Sequence, residues 1–369
     1  MLRCVLNCRF LRLFSGLCAS ALCLVGCAIH PLPEDVTGVD TYHIVRQIRC
    51  ETRETLKSFV IIWLNDLGRD HPGQAGDEIA RKLALQYESD PESISGFGPN
   101  LFPGPRYVQV RNLINAFYDA GIAYNFDLTM TEDNNLSTEI NLLQSLTQHN
   151  FRLGISAGAR RTRDNNRLFT VTDTFSYLLT KMNTPVRGQH YCDGQIVQAN
   201  YVYPVAGRIG VDRLVKDFLE LTLFGNLAGK DAQAGAGGAP TMADQLTFTT
   251  ALNISATPKI EFTPVGEAFR LADASFTGEA RRTDIHKVTV ALAIATKGLT
   301  SLDPLRSFLF SSRRGASSAG AAEAKARAPA TTSFVVGRRV MGGGTPSELL
   351  AVLAIDQLKS RELQLISTQ

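Results

Sequence analysis

The fold is decided by the stretch Gly121-Ile122-Ala123-Tyr124-Asn125-Phe126-Asp127-Leu128-Thr129-Met130. Every second residue from Ile122 to Met130 is large and apolar, and the residues between them are mostly polar. This alternation is typical of a strand that buries one face. Upstream of the stretch the apolar residues recur at helical spacing, whereas alternation prevails downstream. Because helices and strands fall in separate runs, the sequence predicts an α+β fold.

The helical spacing upstream covers residues 40–120 and predicts an N-terminal helical layer. Each helix carries apolar residues three and four positions apart, so that it can bury one face. Gly68 and Pro72 end the first helix, and a loop rich in proline and glycine precedes the third. The predicted helices span residues 40–67, Asp77–Glu88 and Tyr107–Ala120.

Two antiparallel β units are predicted downstream, over residues 121–205 and 241–310. A helix and a linker rich in glycine and alanine separate them, over residues 206–240. Turn-forming residues at 132–135 and at 164–166 predict turns that interrupt the strands of the first unit.

The C-terminal part of the chain begins with a low-complexity linker over residues 311–333, rich in alanine, serine and arginine. Residues 334–369 then carry a C-terminal helix, predicted over Pro346–Leu365. Thr345 lies three residues before Glu348, which is the spacing of a capping box.

The two β units share a short motif that indicates an internal repeat. Ala159-Arg160-Arg161-Thr162 follows Phe151-Arg152-Leu153 in the first unit, and Ala280-Arg281-Arg282-Thr283 follows Phe269-Arg270-Leu271 in the second. Each unit is therefore interpreted as a hairpin with a basic hinge. Two such sheets are expected to pack face to face.

The N-terminus carries the features of an export signal. Arg3, Arg9 and Arg12 precede an apolar run that is too short to span a bilayer as a helix, and the run ends in Leu24-Val25-Gly26-Cys27. This ending resembles the lipobox of bacterial lipoproteins. The resemblance implies cleavage of residues 1–26, a lipid on Cys27, and a tether over residues 27–39. Ala28, after the cysteine, implies the outer rather than the inner membrane, and the expected location is the periplasmic face of that membrane.

The net charge limits the kinds of partner that the sequence predicts. The net charge of +3 equals the three arginines of the signal, so the remaining chain is neutral and we expect no nucleic-acid partner. The expected partners are the membrane, through the lipid, and an envelope protein.

Beyond Cys27 only Cys50 and Cys192 remain. Because exported thiols usually pair, these two are predicted to form a disulfide.

Two patterns resemble nucleophilic sites. Gly154-Ile155-Ser156-Ala157-Gly158 matches a nucleophile elbow and its continuation resembles patatin-like lipases, but the residues that follow lack the apolar stripe of the helix that an elbow needs. His190 and Cys192 share a face of an extended segment, yet a cysteine held in a disulfide is not a nucleophile.

Other clusters favour structural roles. Gly342-Gly343-Gly344-Thr345 lacks the lysine of a phosphate-binding loop and is interpreted as a hinge. The six histidines are scattered, so no metal site is predicted. Four acidic residues lie near the turn predicted at 132–135 and are interpreted as turn formers rather than a glycosidase pair: Asp127, Glu132, Asp133 and Glu139.

Together these observations favour a non-catalytic envelope lipoprotein that binds or scaffolds another component, with no cofactor. Two alternatives stay open. A lipid-anchored hydrolase would use Ser156 or Cys192 and requires a histidine within hydrogen-bond reach of that atom. A periplasmic subunit of a secretion or transport assembly would instead expose a large apolar patch.

Overall fold

A computed structural model describes residues 30–70, 75–145, 150–195, 198–225, 227, 239–261, 270–294 and 344–367. Within these residues the chain is α+β, as predicted. The helices are α1 (Glu34–Thr37), α2 (Thr41–Leu67), α3 (Glu78–Ser89), α4 (Val108–Tyr118), α5 (Phe175–Thr180), α6 (Val211–Leu223) and α7 (Pro346–Ser367). The strands are β1 (Gly121–Ser145), β2 (Asn150–Thr174), β3 (Thr241–Ala256), β4 (Lys259–Glu261) and β5 (Arg270–Ala293).

The strands form one sheet in the order β2-β1-β5-β3, with β4 paired to β5. The two predicted β units are therefore side by side in a single sheet, joined where β1 meets β5. The expectation that they pack face to face is wrong.

Three of the strands are unusually long, since β1 and β2 have 25 residues each and β5 has 24. The turns predicted at 132–135 and 164–166, and the basic hinge in β5, are wrong because the strands continue through them. Cross-strand ion pairs explain the difference: Glu132 pairs with Arg163 at 3.1 Å and with Arg282 at 3.3 Å. Opposite charges on adjacent strands stabilise pairing that the local turn propensity opposes.

The chain divides into two compact units. One, which we call the ribbon unit, comprises Met1–Gly38, Thr129–Asn166 and Thr250–Asp284. The other, which we call the helical unit, comprises Val39–Leu128, Arg167–Thr249 and Ile285–Gln369.

The core of the helical unit is built around α2. The Asp40 side chain caps this helix by accepting the backbone N–H of His43, and Gly68 ends it as predicted. Its buried face, which includes Ile44, Ile48 and other residues at helical spacing, packs with α3, α5 and α6. Strand β2 ends at Thr174, and the chain turns into α5 at Phe175, where the Thr174 side chain caps the helix.

Helix α7 packs on strands of the helical unit through small residues. Ala351 and Ile355 contact Ala123, Ala291 and Ala293. The capping box is present, because Glu348 accepts the backbone N–H of Thr345 at 2.6 Å and donates its own to the Thr345 hydroxyl. Alanine side chains on the strands let the helix approach the sheet closely.

Gly121→Ala is expected to loosen α7 from the sheet. A Cβ at Gly121 would lie 2.4 Å from backbone atoms of Ser347 and Glu348, neither of which can move aside alone. Such overpacking costs about 1–3 kcal/mol. We expect a lower urea midpoint and faster proteolysis within α7. Gly158→Ala is the matched control, since its Cβ would meet an ordinary contact at 3.6 Å, and equal behaviour of the two variants would contradict the prediction.

Candidate functional site

The ribbon unit has two chemically different faces, and side-chain contacts fix which residues share a face. Across β1 and β2, Arg163 pairs with Glu132, and Asn166 donates to the Thr129 hydroxyl at 3.0 Å. Strand residues two apart point to the same side, so the same register extends along both strands. It places the following pairs opposite each other on one face: Leu136 with Ala159, Ile140 with Ile155, and Leu142 with Leu153.

Strands β5 and β3 continue this face. Asn141 donates to Asp273 at 2.7 Å, which sets β5 against β1 in line with the Arg282–Glu132 pair. Lys259 pairs with Ser275, and the Phe276 N–H donates to the Pro258 carbonyl, which sets β3 and β4 against β5. On the same side as Ile155 lie Leu252, Ile254, Ala256, Ala274, Phe276 and Ala280.

This side, which we call the apolar face, is open to solvent. Every exposed large apolar residue among the described residues of the ribbon unit lies on it, with exposed fractions from 36% for Ile140 to 73% for Ile254. Those residues are Leu136, Ile140, Leu153, Ile155, Leu252, Ile254 and Phe276. Exposed apolar surface that is contiguous rather than scattered marks an interaction site.

The opposite side, the polar face, carries hydroxyl, amide and charged groups. Ser156 and Arg160 are exposed there on β2, and Asn253 is exposed on β3. Glu139 on β1 accepts a hydrogen bond from Asn141. Met130 is the one buried apolar residue among the described strand residues of the ribbon unit, so this part of the sheet is a single layer without a core of its own.

The first described residues of the chain, which belong to the ribbon unit, are hydrogen-bonded to its strands. Pro31 and Pro33 are buried, and Asn165 donates to the Pro31 carbonyl at 2.8 Å. Arg282 is also buried, and it donates to the Leu32 carbonyl and to Asp284. Residues 31–33, which belong to the predicted tether, therefore have a fixed place beside the ribbon.

The helical unit contains an apolar cavity of about 200 Å³ among its helices. Phe59 and Trp63 of α2, Phe117 of α4 and Leu219 of α6 are among the side chains that line it. No charged side chain is among the lining residues, and the hydroxyl of Tyr118, which also lines the cavity, donates to the Phe97 carbonyl at 3.2 Å.

A buried carboxylate joins α2 to α6. Glu51 accepts the backbone N–H groups of Ile209, Gly210 and Val211 at 2.8–2.9 Å, at the N-terminus of α6. Burial raises the pKa of Glu51, and these three hydrogen bonds offset part of that increase. The carboxylate supplies the cap that α6 otherwise lacks, because its first residue follows Gly210.

The sequence-derived nucleophile candidates are not in catalytic surroundings. Ser156 lies within β2, which continues to Thr174, whereas an elbow requires a helix directly after the serine. Cys192 is bonded to Cys50, with the two Cα atoms 5.7 Å apart, so its sulfur is not available as a nucleophile. The ring of His190 contacts the Asn183 carbonyl at 2.7 Å and lies 3.9 Å from Glu92, which orients it as part of the fold.

The remaining candidates also have structural positions. Glu132 pairs with arginines, Asp133 accepts from the Thr162 hydroxyl, and neither lies in a turn. Gly344 immediately precedes the α7 capping box, while Gly342 and Gly343 lie outside the described residues. Cys27 is outside them as well. Across the described ranges no group of three metal-ligating side chains comes together, and no helix there is long and apolar enough to cross a membrane.

Residues 30–300 match the model of a protein family described as "Uncharacterised protein y4kA". Over 281 residues the chain is 32% identical to "Uncharacterized protein y4kA" of Sinorhizobium fredii (strain NBRC 101917 / NGR234), covering 76% of this chain and 82% of that relative. Among solved structures it is similar to the type IV competence pilus secretin PilQ of V. cholerae, over 52% of this chain and 66% of that chain, at 7% identity. The TM-score of that match, 0.21, does not indicate a shared fold.

Proposed function

The chain belongs to the y4kA family, and from this premise we propose that it is a non-catalytic subunit of a bacterial envelope assembly, held at the outer membrane by a lipid on Cys27. The observation that carries the proposal is the apolar face of the ribbon unit. Seven large apolar side chains are exposed on one side of a single-layered sheet. Exposing apolar surface to water costs a free energy of about 25 cal/mol per Å², so an assembly that covers this surface is favoured.

The geometry favours an assembly subunit over a solitary hydrolase. A hydrolase needs a nucleophile next to a base that a third group orients. Ser156 lies in the middle of an exposed strand, and Cys192 is held in a disulfide. An assembly subunit needs an apolar surface for its partner, and the ribbon unit carries one.

Replacing Ile155 by Asp is expected to disrupt the assembly. The wild-type chain, extracted from membranes in a mild detergent, should migrate on native gels or in analytical ultracentrifugation as a multi-subunit species. Ile155→Asp places a charge on the apolar face and should shift the chain toward the monomer. Ser156→Asp, the adjacent position on the polar face, is the matched control and should keep the assembly. A monomeric wild-type chain in every mild detergent would contradict the proposal.

Replacing Cys27 by Ser is expected to abolish the lipid anchor. The variant should lose metabolic palmitate labelling and should accumulate as an unprocessed or soluble form, whereas the wild-type chain should stay with the outer membrane on fractionation. Palmitate labelling that persists in Cys27→Ser would overturn the lipid assignment. That result would leave the apolar face as an independent argument for assembly.

A further inference from the structure

We propose that the apolar face contacts the acyl chains of a lipid bilayer, and that copies of this chain join edge to edge so that their ribbons form a closed ring within it. This inference rests on the proposed assembly and specifies what covers the apolar face. The first argument is the separation of the two faces: adjacent residues such as Ile155 and Ser156 on β2, or Asn253 and Ile254 on β3, alternate between the apolar and the polar side. A sheet that lies between lipid and water requires a polar side of this kind.

The second argument is the length of the alternating segment. On β2 the alternation extends in the sequence over nine residues, from Phe151 to Ala159. A strand needs about 9–11 residues to cross the hydrocarbon region of a bilayer. The segment ends at Arg160 and Arg161, which are both exposed. Arg161 lies on the same side as Ala159 and two residues beyond it, where a guanidinium can contact lipid phosphate.

The position of the arginines at the end of the apolar segment explains the repeated Ala-Arg-Arg-Thr motif. In the register of the ribbon, Arg160-Arg161 on β2 is level with Glu279-Ala280 on β5, so the two Arg-Arg pairs are offset by two residues along the sheet. Both pairs mark the end of the apolar segment on their strands. The motif therefore marks the boundary between the bilayer and water rather than a hinge.

The third argument is the position of the N-terminus. Pro31 is buried in the ribbon unit, and its carbonyl accepts the hydrogen bond from Asn165. Cys27 is four residues earlier, so a lipid on that cysteine keeps the membrane surface within about 14 Å of Pro31. The anchor thus holds the basic end of the ribbon at the surface of the bilayer that its apolar segment would enter.

The edges of the sheet supply the reason for a ring. In the described sheet β2 and β3 are the edge strands, and within hydrocarbon the backbone groups of an open edge are not satisfied. Because strand directions alternate from β2 to β3, the β3 edge of one copy can continue the sheet in antiparallel fashion on the β2 edge of the next. The polar faces then line a water-filled space inside the ring.

The inference predicts alternating environments along the ribbon in membranes. Single cysteines at Ile155→Cys and Ile254→Cys, with Ser156→Cys and Asn253→Cys as matched neighbours, would be labelled with an NBD thiol reagent in the full chain. The chain without an added cysteine gives the background. After reconstitution into phosphatidylcholine–phosphatidylglycerol vesicles, labels at 155 and 254 should emit at shorter wavelength and be quenched by nitroxides on the acyl chains. Labels at 156 and 253 should be quenched by aqueous iodide instead.

The outcomes separate this inference from the proposed function. If the chain forms its assembly but labels at 155 and 254 are insensitive to acyl-chain nitroxides, protein covers the apolar face and the bilayer inference is wrong while the proposed function stands. The same conclusion follows if both members of a pair give equal quenching. If the chain is monomeric and no label senses lipid, both fail.

Discussion

Removing the Cys50–Cys192 disulfide is expected to lower the free energy of unfolding of the chain by up to about 4–5 kcal/mol. The bridge joins residues 142 positions apart, so it strongly restricts the unfolded chain. Urea unfolding of the Cys50→Ala/Cys192→Ala double variant, followed by circular dichroism, measures the loss. Alanine at both positions avoids leaving an unpaired thiol or hydroxyl where Cys50 is buried.

The native position of Cys192 has support besides the bridge. The Arg46 guanidinium donates to the carbonyl oxygens of Tyr191 and Asp193, at 2.5 and 2.7 Å, from α2. The segment should therefore stay in place without the disulfide, and the loss should come mainly from the unfolded chain. Reducing the wild-type chain with dithiothreitol is the control and should reproduce the loss, while leaving the double variant unaffected. Unchanged urea midpoints after reduction would contradict this account.

Local sequence patterns were sufficient to predict much of the helical unit. The cap at Asp40, the end at Gly68 and the capping box at Thr345 depend on interactions within a few residues, which is why the helix boundaries could be read from the sequence. The strand boundaries could not. Glu132 and its neighbours are turn formers in isolation. Only their partners on other strands keep them extended, and one such partner, Arg282, is 150 residues away in the sequence.

The candidate site shows a different limit. The alternation from Phe151 to Ala157 was visible as a strand pattern, but the pattern does not state what covers its apolar side. A side packed on a core and a side open to solvent have the same sequence signature. Only the structure distinguishes them here, because it leaves Leu153 and Ile155 exposed.

Replacing Asp173 by Ala is expected to cost about 3–5 kcal/mol, because it leaves a buried charge without its partner. Asp173 is buried and accepts two hydrogen bonds from Arg49, at 2.6 and 2.7 Å, in a bidentate pair. Arg49 is itself largely buried, with 16% of its side chain exposed. Burial acts to lower the pKa of Arg49, but the hydrogen bonds and charge of Asp173 outweigh it and the pKa is raised. An arginine does not relieve the loss of its partner by releasing a proton.

The matched control removes both charges. Arg49→Met combined with Asp173→Leu replaces the pair by apolar side chains, and substitutions of this kind are often neutral or stabilising. We therefore expect a large drop in the urea midpoint for Asp173→Ala and a midpoint closer to wild type for the double variant. Equal midpoints for Asp173→Ala and wild type would show that water reaches Arg49 freely. Since Arg49 also donates to the Tyr191 hydroxyl at 3.2 Å, the single variant should in addition loosen the segment that carries Cys192 and speed reduction of its disulfide.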